Sequence, residues 1–204
     1  MTGTLRYLRR EVEAARELAR AEIALAEEHG FRERLANGRS LRGWTMTELG
    51  QTEQGIAELE PIASSAPSLF QMRASQMLAP VHTRVGRSDR AFAMLDEAIA
   101  RATRSAPRFE PELRRLKGET LVACDSSATA EAEACFHKAI EIAKGQSAKW
   151  WELRATVSLA RLLRDTNRRD EARTMLADIY GWFTEGFDTA DLKDAKALLD
   201  ELSN

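Results

Sequence analysis

The sequence predicts an all-α chain, an α-solenoid of repeated helix pairs closed by a C-terminal capping helix. Three observations lead there. Apolar and small residues recur at three- and four-residue steps, as in the stretch from Met77 to Ala102, MLAPVHTRVGRSDRAFAMLDEAIARA. That spacing places them on one face of a helix. The eleven glycines and five prolines are few and fall at expected helix ends rather than in clusters. No run of alternating β-branched residues is long enough to suggest a strand.

The stretch from Met77 to Ala102 reads as two helices. Leu78, Ala79, Val81 and Val85 mark the first, and Ala91, Leu95, Ala98 and Ile99 the second. Gly86-Arg87-Ser88-Asp89 joins them, with Asp89 or Ser88 placed to accept from the free N–H groups of the second helix. The unit repeats. A small residue followed four later by a large apolar one recurs as Gly55…Leu59, Ala91…Leu95, Ala132…Phe136 and Ala172…Leu176, spaced 36, 41 and 40 residues apart. The preceding helices carry Gly43, Ala79, Gly118 and Ala160, which stand 12, 12, 14 and 12 positions earlier. The single offset of 14 falls where Asp125-Ser126-Ser127-Ala128 lengthens a turn by two residues.

In chain order, Leu5 to Glu28 is expected as one long helix, within a segment 5–29 that ends at His29-Gly30 with glycine in its usual C-terminal role. It reads as the second helix of a unit whose first helix is missing, either cut from a larger protein or serving as an N-terminal cap. Helix pairs follow at 31–65, 67–105, 108–145 and 147–183, giving about ten helices. Their expected members are Phe31–Leu49 with Gln51–Ala63, Leu69–Val85 with Asp89–Thr103, Glu110–Ala123 with Ala128–Lys144, and Lys149–Arg164 with Arg169–Trp182. Ala66-Pro67-Ser68 separates the first two pairs. Pro80 falls inside a helix, where the missing N–H should kink or break it. The last helix, Thr189 to Leu202 within 188–203, carries Ala190, Leu192, Ala195, Leu198, Leu199 and Leu202 as one face to bury and is capped by Asp188. Its charged outer face is how a solenoid end is closed to water. The chain reads as a single domain over 1–204.

Bulk composition narrows the function. The chain is 44% hydrophobic and 30% charged, which suits a continuous core through stacked pairs. A net charge of −2 from 30 basic and 32 acidic residues gives no reason to expect nucleic acid or an acidic membrane surface. No apolar run reaches transmembrane length, and Met1-Thr2-Gly3-Thr4-Leu5 lacks the apolar core of a signal peptide. Two cysteines fit a reducing compartment, and the cytoplasm is the expected location.

The small-residue register resembles the tetratricopeptide (TPR) repeat, in a variant with helices longer by about a turn. That resemblance implies a right-handed α-solenoid. A narrower likeness rests on Leu41-Arg42-Gly43-Trp44, Glu112-Leu113-Arg114-Arg115-Leu116-Lys117-Gly118-Glu119, Ala130-Glu131-Ala132-Glu133-Ala134-Cys135-Phe136, Trp151-Glu152-Leu153-Arg154-Ala155 and the run from Ile179 to Leu192, IYGWFTEGFDTADL. These are similar to the C-terminal TPR region of large bacterial class III adenylate/guanylate cyclase-like proteins. In that family a cyclase-like domain and an ATPase module precede the repeats. Neither the metal-binding aspartates of a cyclase domain nor a GxxxxGK[ST] phosphate loop occurs here. The resemblance therefore implies a non-catalytic region of a signalling protein, with no cofactor of its own.

Candidate chemistry is sparse. Cys124, Cys135 and His137 are the one soft-ligand cluster, short of the four ligands of a structural zinc site, and the cysteines read as small buried core residues. His29 and His82 stand alone, without a nucleophile partner. Trp44, Trp150, Trp151 and Trp182 read as packing between pairs, with one of the tandem pair in the core, and Trp182, Phe183 and Phe187 hold the last helix to the fourth pair. In TPR arrays the first helix of each pair lines the concave face. The corresponding positions here are Ser40, Trp44, Thr47; Gln76, Pro80, Thr83; Arg115, Glu119, Val122; and Val157, Arg161, Arg164. One turn earlier stand Asn37, Arg73, Glu112 and Arg154. Arg73, Arg115, Arg154, Arg161 and Arg164 would make the C-terminal half of such a groove basic and able to clamp carboxylates. The alternative is that these arginines pair with Glu112, Glu119 and Glu152. The expected function is a scaffold that binds a protein or peptide partner, or other domains of its parent polypeptide. The alternative is a homodimerisation module with no peptide ligand.

Overall fold

A computed structural model describes residues 2–65, 68–125 and 127–203. The described residues form eleven α-helices and one short 3-10 turn, with no strand. They are α1 (Thr2–Leu8), α2 (Val12–His29), α3 (Arg32–Glu48), α4 (Thr52–Ser65), α5 (Ser68–Arg84), α6 (Ser88–Ser105), α7 (Glu110–Cys124), α8 (Thr129–Gly145), α9 (Lys149–Asp165), α10 (Arg169–Tyr180) and α11 (Ala190–Ser203). The 3-10 turn Pro107–Phe109 leads into α7. The expected separator at Ala66-Pro67 lies outside the described residues, as do Ser126 of the lengthened turn, Met1 and Asn204.

Contacts divide the chain into two compact units, Met1–Arg101 and Ala102–Asn204. In the first, α2 packs on α3, α3 on α4 and α4 on α5, while α1, α3 and α5 lie side by side. Its core gathers Ala15, Ala19, Leu41, Trp44, Leu59 and Leu78. In the second, α7 packs on α8, α8 on α9, α9 on α10 and α10 on α11, while α7, α9 and α11 form the side-by-side layer. Its core includes Phe136, Leu153, Leu159, Leu163, Leu176 and Leu192.

The small residues of the repeat sit where paired helices meet. A Cβ on Gly43 would come within 2.8 Å of Leu59 Cγ, and one on Gly55 within 2.6 Å of the Gly43 carbonyl and closer still to Thr47 Cγ2. A Cβ on Gly118 would stand 2.5 Å from the Phe136 ring. Ala79, Ala91, Leu95, Ala132, Ala160, Ala172 and Leu176 are all fully buried.

Most turns share one construction. A residue in the left-handed region follows the helix, and its neighbour's N–H reaches back five residues, the arrangement that satisfies the last carbonyls of a helix. At Gly50 (φ 83°), Gln51 N–H donates to Met46 O at 2.9 Å. At Gly86 (φ 76°), Arg87 N–H donates to His82 O at 2.8 Å. Ser147 and Asn167 do the same without glycine's freedom. The lengthened turn differs: Asp125 is extended, and its carboxylate accepts from both the N–H and the hydroxyl of Ser127.

Two expectations are corrected. The first helix is not continuous from Leu5, because Arg10 adopts φ 56° and Glu11 N–H closes back on Arg6 O at 2.9 Å, ending α1 at Leu8. The Glu11 carboxylate accepts from Arg6 and Arg9, and the Tyr7 ring packs edge-on against Trp44 at 5.1 Å, folding α1 across α3. Pro80 does not break its helix; α5 runs from Ser68 to Arg84 through it. Met72, Ala74, Met77, Leu78, Ala79 and Val81 are buried around nearly the whole circumference of α5, and that packing outweighs one missing bond. Pro61 is likewise carried inside α4.

Gly55→Ala gains about 0.5–1 kcal/mol of helix propensity but drives a methyl into Thr47 and the Gly43 carbonyl. Overpacking of this kind costs about 1–3 kcal/mol. Urea unfolding of the variant should show a lower midpoint at unchanged slope. Gly145→Ala, where a Cβ meets nothing within 4 Å, should hold or raise it. Equal midpoints for G55A and wild type would remove close approach as the determinant of pairing.

Candidate functional site

The side-by-side layer of the second unit carries a chain of charges instead of an open basic groove. Arg115 on α7 is 7% exposed and Glu112, one turn earlier, 1%. Arg115 donates through Nε and Nη2 to the two Glu112 oxygens, both at 2.8 Å, and through Nη1 to Glu119. From α9, Arg154 reaches Glu112 at 3.1 Å and lies 3.9 Å from Asp191 on α11. The Ser158 hydroxyl donates to Glu119 at 2.8 Å. Glu152 is held by Lys149 at 2.8 Å. Arg115 and Arg154 therefore answer carboxylates of their own unit, and three helices are tied through them.

The remaining arginines differ. Arg164 donates to Asp165 at 2.8 Å and to Glu201 at 3.0 and 3.1 Å, and the Asp165 bond, against burial, holds its pKa above the ordinary arginine value. Arg161 is exposed and has no bond or ion pair among the described residues. With Glu119, Val122, Ser158 and Arg164 it lines a cleft of about 240 Å³ whose wall includes Phe136.

In the first unit, Ser40, Trp44 and Gln76 are buried, at 1%, 6% and 3% exposure. They belong to the contact between helices, where α3 and α5 are packed both against each other and against the even-numbered helices. Ser40 donates to Ala36 O at 2.8 Å, and half-buried Thr83 to Ala79 O at 3.1 Å. Asn37 bridges two elements: its Nδ2 donates to Glu22 of α2, and its Oδ1 accepts from Arg73 of α5, both at 2.8 Å. These residues line an opening of about 680 Å³ bordered by α1, α2, α3 and α5.

The other candidates resolve as follows. Cys124 is exposed and Cys135 half-buried, so neither is a core cysteine; Cys124 ends α7 at the lengthened turn. Among the described residues no group of three or more His, Cys, Asp or Glu could hold a metal ion. Trp150 and Trp151 are both partly buried. Phe183 does join the α10–α11 connection to α9, 6.0 Å from Trp150, but Trp182 is 57% exposed and Phe187 rests on Tyr180 at 5.8 Å. Sequence reading missed Asp191 and Glu22. Neither has a local signal, since each partner lies on another helix.

His82 is buried on α5, 3.6 Å from Glu60 of α4, and neither ring nitrogen has a hydrogen bond among the described residues. Burial lowers its pKa; Glu60 and Glu53 oppose that, while Arg87 and Arg90 reinforce it. The unfolded imidazole, with a pKa near 6.5, then binds a proton more readily than the folded one. Stability is fully present above about pH 6.5 and falls as the pH drops below it. His82→Gln should flatten this loss between about pH 7 and 5.5 in urea titrations. An unchanged slope would place the acid sensitivity elsewhere.

Glu112→Gln removes the carboxylate shared by Arg115 and Arg154, and breaking a buried pair from one side costs about 3–5 kcal/mol. The midpoint of thermal unfolding should fall steeply. Arg161→Gln, which breaks no bond, should move stability by less than about 0.5 kcal/mol.

No helix among the described residues is long and apolar enough to cross a membrane. No family model matches the chain, and no curated protein matches it significantly.

Proposed function

We propose that the chain is a non-catalytic protein-interaction scaffold of TPR-like helix pairs, a right-handed α-solenoid. In this reading it is the cytoplasmic docking region of a bacterial adenylate/guanylate cyclase-like signalling protein. The observation that carries the proposal is the close approach at Gly43, Gly55 and Gly118, which recurs in the register set by the sequence and aligns the odd-numbered helices of each unit into a layer. Such layers offer a long face to a partner segment without any reactive group. The exposed guanidinium of Arg161, beside Val122 and the Phe136 wall, is suited to an acidic side chain flanking an apolar one.

Selection of random linear peptides on the full chain tests the proposal. Acidic–apolar motifs should be enriched, and Arg161→Glu should weaken the selected peptides about tenfold, or 1.4 kcal/mol. Failure to enrich any motif above an unrelated helical protein would remove the scaffold reading.

A further inference from the structure

The bend between α1 and α2 runs against the preference of its own residues. Leu8, Val12, Ala15, Ala19, Ile23 and Ala26 stand at three- and four-residue steps straight through it, as one stripe of a continuous helix. The hinge residues Arg9, Arg10 and Glu11 are helix-tolerant, with no glycine or proline among them. Yet Arg10 is held at φ 56°, in the left-handed region that a residue with a Cβ avoids. Local preference and fold disagree within this short hinge.

A small set of contacts opposes straightening. The Tyr7 ring meets Trp44 edge-on at 5.1 Å. Gly3 is buried, and a Cβ on it would stand 3.2 Å from Leu41 of α3 and 3.7 Å from Leu18 of α2. The Glu11 carboxylate accepts from Arg6 and Arg9 across the bend. The contacts of Tyr7 and Gly3 require an α1 on that seat, but not the α1 of the same chain. A short hinge under strain invites exchange of the element it carries. Exchange between copies keeps the contacts of the exchanged element and relieves the hinge.

We propose that the chain forms a reciprocal dimer by exchanging α1. Residues 2–29 then run as one helix, and the Tyr7 ring of each copy rests on Trp44 of the other. Leu41 and Trp44 are buried, at 2% and 6% exposure, so an α1 that left without replacement would bare a core. The α1 of a second copy is the segment already seen to fit that seat. Relief of two strained hinges works against the freedom lost on association, and the dimer gains on the monomer as concentration rises. The exchange lies within the first unit and does not depend on the scaffold reading.

The test uses the full chain with p-benzoylphenylalanine in place of Tyr7, an aromatic side chain that links on irradiation to what it touches. Chains of ordinary and of heavy nitrogen are mixed, refolded from urea, separated by size and irradiated, and the linked peptides are weighed. Cross-links between α1 and α3 in the dimer fraction should join light chains to heavy ones. Light scattering of the unlabelled wild type across a dilution series should show monomer and dimer in equilibrium. Arg10→Gly suits the bend and is costly in a continuous helix, so it should weaken the dimer about tenfold or more and keep the wild-type circular dichroism. Glu11→Ala removes the carboxylate that holds the bend and places a better helix former in the hinge, and it should strengthen the dimer. A wild type that stays monomeric at the highest soluble concentration overturns the proposal. So does a dimer whose α1–α3 cross-links never join light to heavy, or an R10G chain that dimerises as tightly as wild type.

Discussion

Where α3 meets α4 there is room for a hydrogen atom and no more. Gly43 and Gly55 face each other across that contact, and the Gly55 backbone reaches the Gly43 carbonyl with Thr47 pressed alongside. Glycine in a helix interior costs stability through the freedom it has when unfolded. That cost is offset by the depth of packing it permits: Leu59, Leu41 and Ile56 are buried in the same core. The second unit meets the same constraint differently, with Gly118 giving up its side chain so that the Phe136 ring can come up against α7. In both cases the small residue fixes how near two helices come, and that distance fixes which side chains the next odd-numbered helix can touch.

The small-residue register was legible because a packing constraint of this kind leaves no chemical alternative at its own position. Turns were legible to the same extent. Gly30, Gly50 and Gly86 take the left-handed conformation and are read directly from the sequence. Arg10 takes it too, though nothing in its side chain favours it; for a residue with a Cβ that conformation costs about 1–2 kcal/mol. What holds it is tertiary: Tyr7 on Trp44, and Glu11 gathering Arg6 and Arg9. A local pattern carries no trace of such support, so a helix expected to run from Leu5 is divided. Pro80 is the converse case, a local signal for a break that all-round burial overrides.

Charged positions were harder to read. Register placed Arg115, Arg154, Arg161 and Arg164 on the layer-forming helices, but a basic face depends on what opposes each guanidinium. Glu112 is visible as a neighbour of Arg115, three residues away on the same helix. Its bond to Arg154 crosses from α7 to α9, and Asp191 comes from α11. Both contacts exist only once the helices lie side by side. The same holds in the first unit, where Asn37 ties Glu22 of α2 to Arg73 of α5.

The two networks have opposite consequences for their units. In the second, carboxylates and guanidinium groups meet at the contact between helices, where desolvation makes breaking one partner expensive. Charge there holds α7, α9 and α11 in register and is not available to a partner, which leaves Arg161 as the exposed cation beside the cleft. In the first, the Glu22–Asn37–Arg73 bridge lies along the wall of an opening rather than inside a contact. Arg34 stands 3.7 Å from the same Glu22, so cations and carboxylates meet along that wall.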